Sequence, residues 1–264
     1  MRLRDKVAIV VGGGQTPGET VGNGRAAALL FSKEGARVLV ADRRFASAQD
    51  TVAEIREAGG TAEAVEVDAT DSAACAAMVA ECVERWGKLD VLHNNVGIGD
   101  GDGSVVRIEE KAWDRIFDVN LKTVLLACRH ALPVMREQGS GSVVNISSIA
   151  ATCAHPGVAY RTSKAAVNAL TEQMAIANAR HGIRVNAIMP GMMNTPMAIE
   201  GISAARGVPK DKLVAERDAR VPLGRKMGSA WDVAHAALYF ASDEAGFVTG
   251  VVMPVDGGQS LQRG

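Results

Sequence analysis

The chain has 264 residues, 47% of them hydrophobic, which suits one large α/β domain and requires no second one. A formal net charge of −1, with both signs interspersed, leaves no basic footprint for nucleic acid or a membrane surface and favours a small-molecule ligand. Cys75, Cys82, Cys128 and Cys153 form no C-x-x-C pair, as expected of reduced thiols that pack as small hydrophobes in a cytosolic protein. The five histidines lack metal-ligand spacing, so no structural metal is expected. The amino-terminal MRLRDKVAIVVGGG passes directly into a strand pattern without a cleavable or bilayer-spanning run, which predicts a cytoplasmic protein.

Apolar runs of strand length fall at 7–11, 37–41, 62–67, 89–93, 142–146, 184–188 and 250–255, with helical patterns between most of them. Runs such as VAIVV and RVLVA are apolar on successive residues, which predicts strands covered on both faces and parallel connections. No internal repeat interrupts this order. The exception to strict alternation is 191–225, a long Met-, Gly- and Pro-containing stretch, read as a substrate-binding lid with an ordinary surface excursion as the alternative.

The first strand runs into GGGQTPGETVGNGRAAALLF. Glycines let backbone amides approach a diphosphate, and the amino terminus of the next helix favours the anion. Asp42 closes the second strand, eighteen residues beyond Gly24. A carboxylate there can accept from both ribose hydroxyls and would repel a 2′-phosphate, which favours NAD over NADP. Arg43 and Arg44 follow it, either bearing on that choice or simply opening the next helix.

The most informative stretch is NISSIAATCAHPGVAYRTSK, residues 145–164. Ser147 and Ser148 leave the carboxyl end of a buried strand, and a helix is expected to begin near Tyr160. Tyr160 and Lys164 are then neighbours on one helix face. A unit charge at ~4 Å and an effective dielectric of ~20 supplies about 4 kcal/mol. That would bring a phenol of pKa about 10 close to neutrality. Singly, these residues fit a turn, a core tyrosine and a solvated lysine. Together they fall where an open α/β sheet collects ligands.

A serine followed a dozen residues later by Tyr-x-x-x-Lys resembles the signature of the classical short-chain dehydrogenase/reductase family, here carried by Ser148, Tyr160 and Lys164. Ser147 matches the pattern less well. The resemblance covers nearly the whole chain and implies a single domain, 1–264, built on a Rossmann-type doubly wound parallel sheet of seven strands. It implies that Tyr160 is the general acid/base, that Lys164 supports it and holds the nicotinamide ribose, and that Ser148 contacts the substrate oxygen. Asn120, in DVNLKT, resembles the fourth catalytic member, which holds a water beside the lysine.

Gly12, Gly22 and Gly24 match the family's cofactor glycines, with Asn23 between the last two. Here the chain departs from the pattern. Four residues normally separate the first two glycines in register, whereas Gly12 to Gly22 is ten, so six residues have entered the loop. Residues 15–20 form either a flap over the cofactor phosphates or a neutral surface insertion, and Glu19 is expected to point away from the diphosphate.

Asp68 and Ala69 resemble the family's adenine-contacting positions, although Asp68 also fits a helix cap. Asn95, Val96 and Gly97 resemble the nucleotide-lining Asn-Ala-Gly, and Pro190, Gly191 and Thr195 match the Pro-Gly-x-x-x-Thr that reaches the carboxamide. Cys153, His155 and Met192, with Ile98, Ala150, Met193 and Met197, are candidates for a mostly apolar pocket wall suited to an uncharged or weakly polar alcohol or ketone.

The expected reaction is interconversion of a secondary alcohol and a ketone with NAD. A β-ketoacyl-carrier-protein reductase is the first alternative, and REQGSGS at 136–142 offers little of the basic docking patch it would want. A nicotinamide-binding regulatory protein is the alternative from another class, though a mere binder has no need of the Ser, Tyr, Lys and Asn. Family habit also implies a homotetramer packed through helices around 113–136 and 160–181.

Overall fold

The computed structural model describes residues 1–262. In chain order its elements are β1 Val7–Val11, α1 Asn23–Lys33, β2 Arg37–Asp42, α2 Phe45–Glu57, β3 Thr61–Glu66, α3 Ser72–Trp86, β4 Val91–Asn94, α4 Glu110–Phe117 and α5 Thr123–Gln138. They continue with β5 Gly141–Ile146, α6 Val158–Asn178, β6 Ile183–Pro190, β7 Met193–Asn194, α7 Ile202–Arg206, α8 Lys210–Asp218, β8 Gly228–Ser229, α9 Ala230–Ala241 and β9 Val252–Val255. Seven strands form one sheet in the order β3-β2-β1-β4-β5-β6-β9, and every pair in it is parallel. This is the doubly wound seven-stranded sheet expected from the alternating pattern.

Alternation within the strands divides the core. Ala8 and Val10 of β1 face a layer made with α1, α2 and α9, while Val7, Ile9 and Val11 face the layer of α3, α5 and α6. All five β1 residues are buried, which is why the run is apolar throughout. The strand order reverses between β1 and β4, and open α/β sheets hold ligands in the crevice beyond the strand ends at such a point.

Two of the departures from the expected elements have physical reasons. β4 starts at Val91 because Leu89 N–H donates to the Gln138 side chain, at 2.8 Å, while Asp90 N–H donates to the carbonyl of Val7 at 2.9 Å. The 191–225 stretch is mostly helical: its Met, Gly and Pro content obscured α7 and the polar helix former run KDKLVAERD of α8. β7 and β8 pair with each other, Met193 with Gly228 and Asn194 with Ser229, so the excursion leaves and rejoins the domain at one clip. Among the described residues no helix is long and apolar enough to cross a membrane.

Candidate functional site

The end of β5 sets the two serines to different tasks. Ser147 is 2% exposed, and its hydroxyl donates to the Lys164 carbonyl at 2.9 Å, tying strand to helix. Ser148, one residue on in a pleated chain, turns the other way. Its hydroxyl accepts from Ala150 N–H at 3.1 Å and lies near enough to the Tyr160 phenol to favour its ionised form.

Tyr160 lies in the first turn of α6, and Lys164 one turn further on. The lysine is 2% exposed, and its ammonium donates to the Ile146 carbonyl at 2.9 Å. Burial pulls its pKa down to about 8. The electrostatic expectation for the tyrosine is corrected here. The ammonium stands 6.0 Å from the phenol ring centroid, and burial pushes the phenol above its ordinary value, with the nearby Ser148 hydroxyl opposing it. Helical spacing made the two residues neighbours without revealing how deeply the lysine is buried.

Asn120 is fully buried in a π-helical turn, Asp118–Lys122, between α4 and α5. Its side chain donates to the Ile98 carbonyl at 2.9 Å and to Ser163 Oγ at 3.0 Å, and accepts from Ile98 N–H at 2.7 Å. Gly97 fills the gap between this amide and the lysine, since a Cβ there would sit 2.9 Å from Lys164 Nζ and 3.5 Å from Asn120 Oδ1. His155 lies beside the same group, its ring centroid 5.3 Å from that of Tyr160. Cys153 is half-buried just beyond the turn that Ser148 opens.

The glycine loop closes against β4. Asn95 Nδ2 donates to the Gly12 carbonyl at 3.0 Å, and a Cβ on Gly24 would stand 2.0 Å from that carbonyl oxygen, so no side chain fits there. α1 begins without a side-chain cap and with no acidic residue in its first turn, and Asn23 Oδ1 is buried without a partner. Uncapped helix amides and an unfilled buried acceptor suit an anionic, hydroxylated ligand such as a dinucleotide.

Asp42 accepts from Arg44 N–H at 2.9 Å and from Gly14 N–H at 3.1 Å. At the end of β3, Asp68 folds around Thr70, accepting from its N–H and hydroxyl, and buried Ala69 follows. The cap of α3 is Asp71, not Asp68.

On the far side Pro190 ends β6, and Gly191 N–H donates to the Val255 carbonyl at 2.9 Å. Gln259 accepts from Met192 N–H at 2.7 Å. The Met192 side chain packs on Ile199, Val221 and Met227, and buried Thr195 opens the turn that leads into α7.

Residues 15–20 span between these two sides. Gln15 N–H donates to Ser47 Oγ at 2.8 Å, the Arg44 guanidinium donates to the Gln15 carbonyl, and Gln15 Oε1 accepts from Gly22 N–H at 3.0 Å. At the other end Gly18 packs on Pro196 and Glu200. Glu19 lies 3.4 Å from Lys210, which also pairs with Glu200 at 2.5 Å.

Sequence reasoning missed Asp102 and Lys210, and marked Gln15 only as the first residue of the inserted stretch and Gln259 only as the end of VDGGQ (255–259), a stretch that resembles the family pattern. Asp102 accepts from Ala159 N–H at 3.0 Å and from Tyr160 N–H at 2.8 Å, although it lies in a glycine-rich stretch that reads as a plain turn.

Known proteins share this arrangement. A family model described as enoyl-(acyl carrier protein) reductase matches residues 19–260. A 2,5-dichloro-2,5-cyclohexadiene-1,4-diol dehydrogenase of Sphingobium indicum is 38% identical over 98% of each chain. The crystal structure of a short-chain dehydrogenase/reductase of Burkholderia xenovorans is 40% identical, with a TM-score of 0.91 over 100% of this chain and 99% of its own. That of levodione reductase is 31% identical, with a TM-score of 0.93 over 99% of this chain and 100% of its own. Sheet order, strand-end site and these likenesses agree, and the chain belongs to the short-chain dehydrogenase/reductase family of oxidoreductases.

Proposed function

We propose that the protein interconverts a compact secondary alcohol and its ketone, with NAD, using Tyr160 as the general acid/base. The observation that carries this reading is the convergence of the Ser148 hydroxyl and the Tyr160 phenol beside a buried Lys164. The nicotinamide, when bound, accepts or supplies the hydride. Tyr160 gives a proton to the substrate oxygen or takes one from it, and Ser148 holds that oxygen in line. A phenol held above its ordinary pKa is a ready proton donor for ketone reduction, and alcohol oxidation speeds up as pH rises. Lys164, with a pKa near 8, changes charge close to neutrality and supports that transfer from the Ile146 carbonyl. Asn120 keeps the Gly97–Ile98 turn pressed on the lysine and sustains the proton path.

Gly12, Gly22, Asn23 and Gly24 would receive the diphosphate, Asp42 the adenosine ribose, Asp68 and Ala69 the adenine, and Asn95, Val96 and Gly97 the sheet side of the cofactor. Pro190, Gly191 and Thr195 would border the nicotinamide. NAD is favoured over NADP because Asp42 offers a carboxylate while the Arg44 guanidinium is engaged by Gln15.

Cys153, His155 and Met192 line the substrate side, under a lid formed by 191–225. The ring compound named for the diol dehydrogenase supports an uncharged ring substrate. Carrier-protein docking is disfavoured because Lys210 and Arg206 at the lid are each paired with carboxylates.

Leu125 of α5 and Ile176 of α6 are 48% and 73% exposed, which supports a homotetramer packed through these helices. Burial raises the Cys75, Cys82 and Cys128 thiols, which suits a protein kept reduced in the cytoplasm.

The test is nicotinamide reduction with NAD and, separately, NADP across a panel of cyclic secondary alcohols. Turnover with NAD that Tyr160→Phe abolishes is the expected result. Tight NAD binding without turnover across the panel would favour a regulatory binder.

A further inference from the structure

We propose that Asp102 is a positioning residue that holds Tyr160 in register with Ser148. This rests on the reading of Tyr160 as the acid/base. α6 starts after Gly157, which has no side chain to cap it, and no local side chain takes the first-turn amides. Asp102 takes two of them from 57 and 58 residues away, one carboxylate oxygen accepting from Ala159 N–H and the other from Tyr160 N–H. Val158 N–H donates to the Gly103 carbonyl at 3.0 Å, so three successive amides at the head of the helix are held by one short loop. One of the bonds is made by the backbone of Tyr160 itself.

The same loop touches the tyrosine ring. A Cβ on Gly99 would lie 3.5 Å from Tyr160 Cδ2, and Asp102 N–H donates back to the Gly99 carbonyl at 3.3 Å. Asp102 Oδ1 also accepts from Gly103 N–H at 2.8 Å, which fixes the carboxylate in its turn. At its start the loop is held by Asn120 through Ile98, and Asn120 donates to Ser163 Oγ, which donates to the Tyr160 carbonyl at 2.9 Å. Asp102 and Ser163 thus grip the amide and the carbonyl of the residue that moves the proton.

This approach depends on Gly157. A Cβ there would stand 2.1 Å from Asp102 Oδ2, nearer than any real contact, so any other residue at 157 displaces the carboxylate. The pairing of an acid at 102 with a glycine at 157 therefore specifies a cap supplied from outside the helix. An ordinary cap would stabilise α6 and nothing more. A positioning cap also sets the alignment of the phenol, and small displacements of a reacting group are costly in rate.

The test uses full-length protein with the alcohol found in the turnover panel, and measures kcat, KM and NAD dissociation constant for each variant. Asp102→Ala is expected to lower kcat by about tenfold to a hundredfold while NAD affinity changes less than about twofold. Asp102→Asn, which keeps one acceptor oxygen, should recover part of the loss. Gly157→Ala should match Asp102→Ala, and the double variant should be no slower than either, since both remove one contact.

An unchanged kcat in Asp102→Ala overturns the proposal, and so does an additive double variant. An Asp102→Asn protein that no longer binds NAD would assign the residue to the fold and overturn it too. If Tyr160→Phe itself retains turnover, the acid/base reading fails instead, and the two failures are separable.

Discussion

The proposed proton-handling wall and the proposed cofactor entrance are built in contrasting ways. In the wall, Asn120, Lys164 and Ser147 are each 2% exposed or less, and each side chain is bonded to backbone. At the entrance, residues 15–20 meet the 191–225 excursion through Glu19, Lys210 and Glu200, whose side chains are 85%, 47% and 22% exposed. Buried polar groups bonded to the main chain have few alternatives, so the wall keeps its geometry before any ligand arrives. Exposed ion pairs exchange readily with water and salt, which suits the proposed role of a segment that opens for cofactor.

The largest effect should come from breaking the wall. Asn120→Ala removes one buried and two part-buried hydrogen bonds and leaves the Ile98 N–H and carbonyl without these partners, while Ser163 keeps its bond to the Tyr160 carbonyl. A loss of about 4 kcal/mol in urea unfolding is expected, with turnover lost as well. A loss under about 1 kcal/mol would mean that water replaces the amide and that the wall is less dry than its burial implies.

The floor beneath the wall carries a second liability. His93 of β4 is fully buried, edge-on to Phe31, with both ring nitrogens unpartnered, and burial lowers its pKa from 6.5 to about 4. Above pH 6.5 the ring is neutral in both states and contributes nothing. As pH falls from 6.5 towards 4 the unfolded chain takes up a proton that the native ring refuses. Stability therefore drops by about 3 kcal/mol across that window and levels off below it. Urea midpoints at pH 7 and pH 5 check this, and His93→Leu should flatten the difference.

Much of the wall could be read from the sequence because it is local. Ser148, Tyr160 and Lys164 lie within one strand–turn–helix unit, and the seven strands are legible as apolar runs. The sign of the phenol shift was not legible, because spacing fixes neighbours but not the water around them. Asp102 was hidden for a different reason: its partners lie 57 and 58 residues on, and only the folded chain brings them together. Gln15 sits inside an insertion that has no counterpart in the family pattern, so nothing in that pattern marked its side chain as the acceptor for Gly22 N–H.

At the entrance, excising residues 15–20 removes the Gln15 contact to Gly22 and frees Arg44. If the stretch is a flap over the cofactor phosphates, NAD should bind about tenfold more weakly, by equilibrium titration, while NADP gains relative to NAD. Unchanged NAD affinity would make the stretch a neutral insertion and shrink the entrance to the lid alone.

The smallest effect is expected from Lys210→Ala, and it bears most directly on the contrast. Lys210 holds one carboxylate from residues 15–20 and one from the proposed lid, so its removal unties the two and leaves two uncompensated carboxylates at the proposed entrance. Association of NAD should slow by about twofold to threefold at low ionic strength through lost steering, with little change in kcat. At 1 M salt the screening length shrinks to about 3 Å and the difference should vanish. A defect that survives in high salt would show that the lysine acts by shape, and the entrance would then be as rigidly built as the wall.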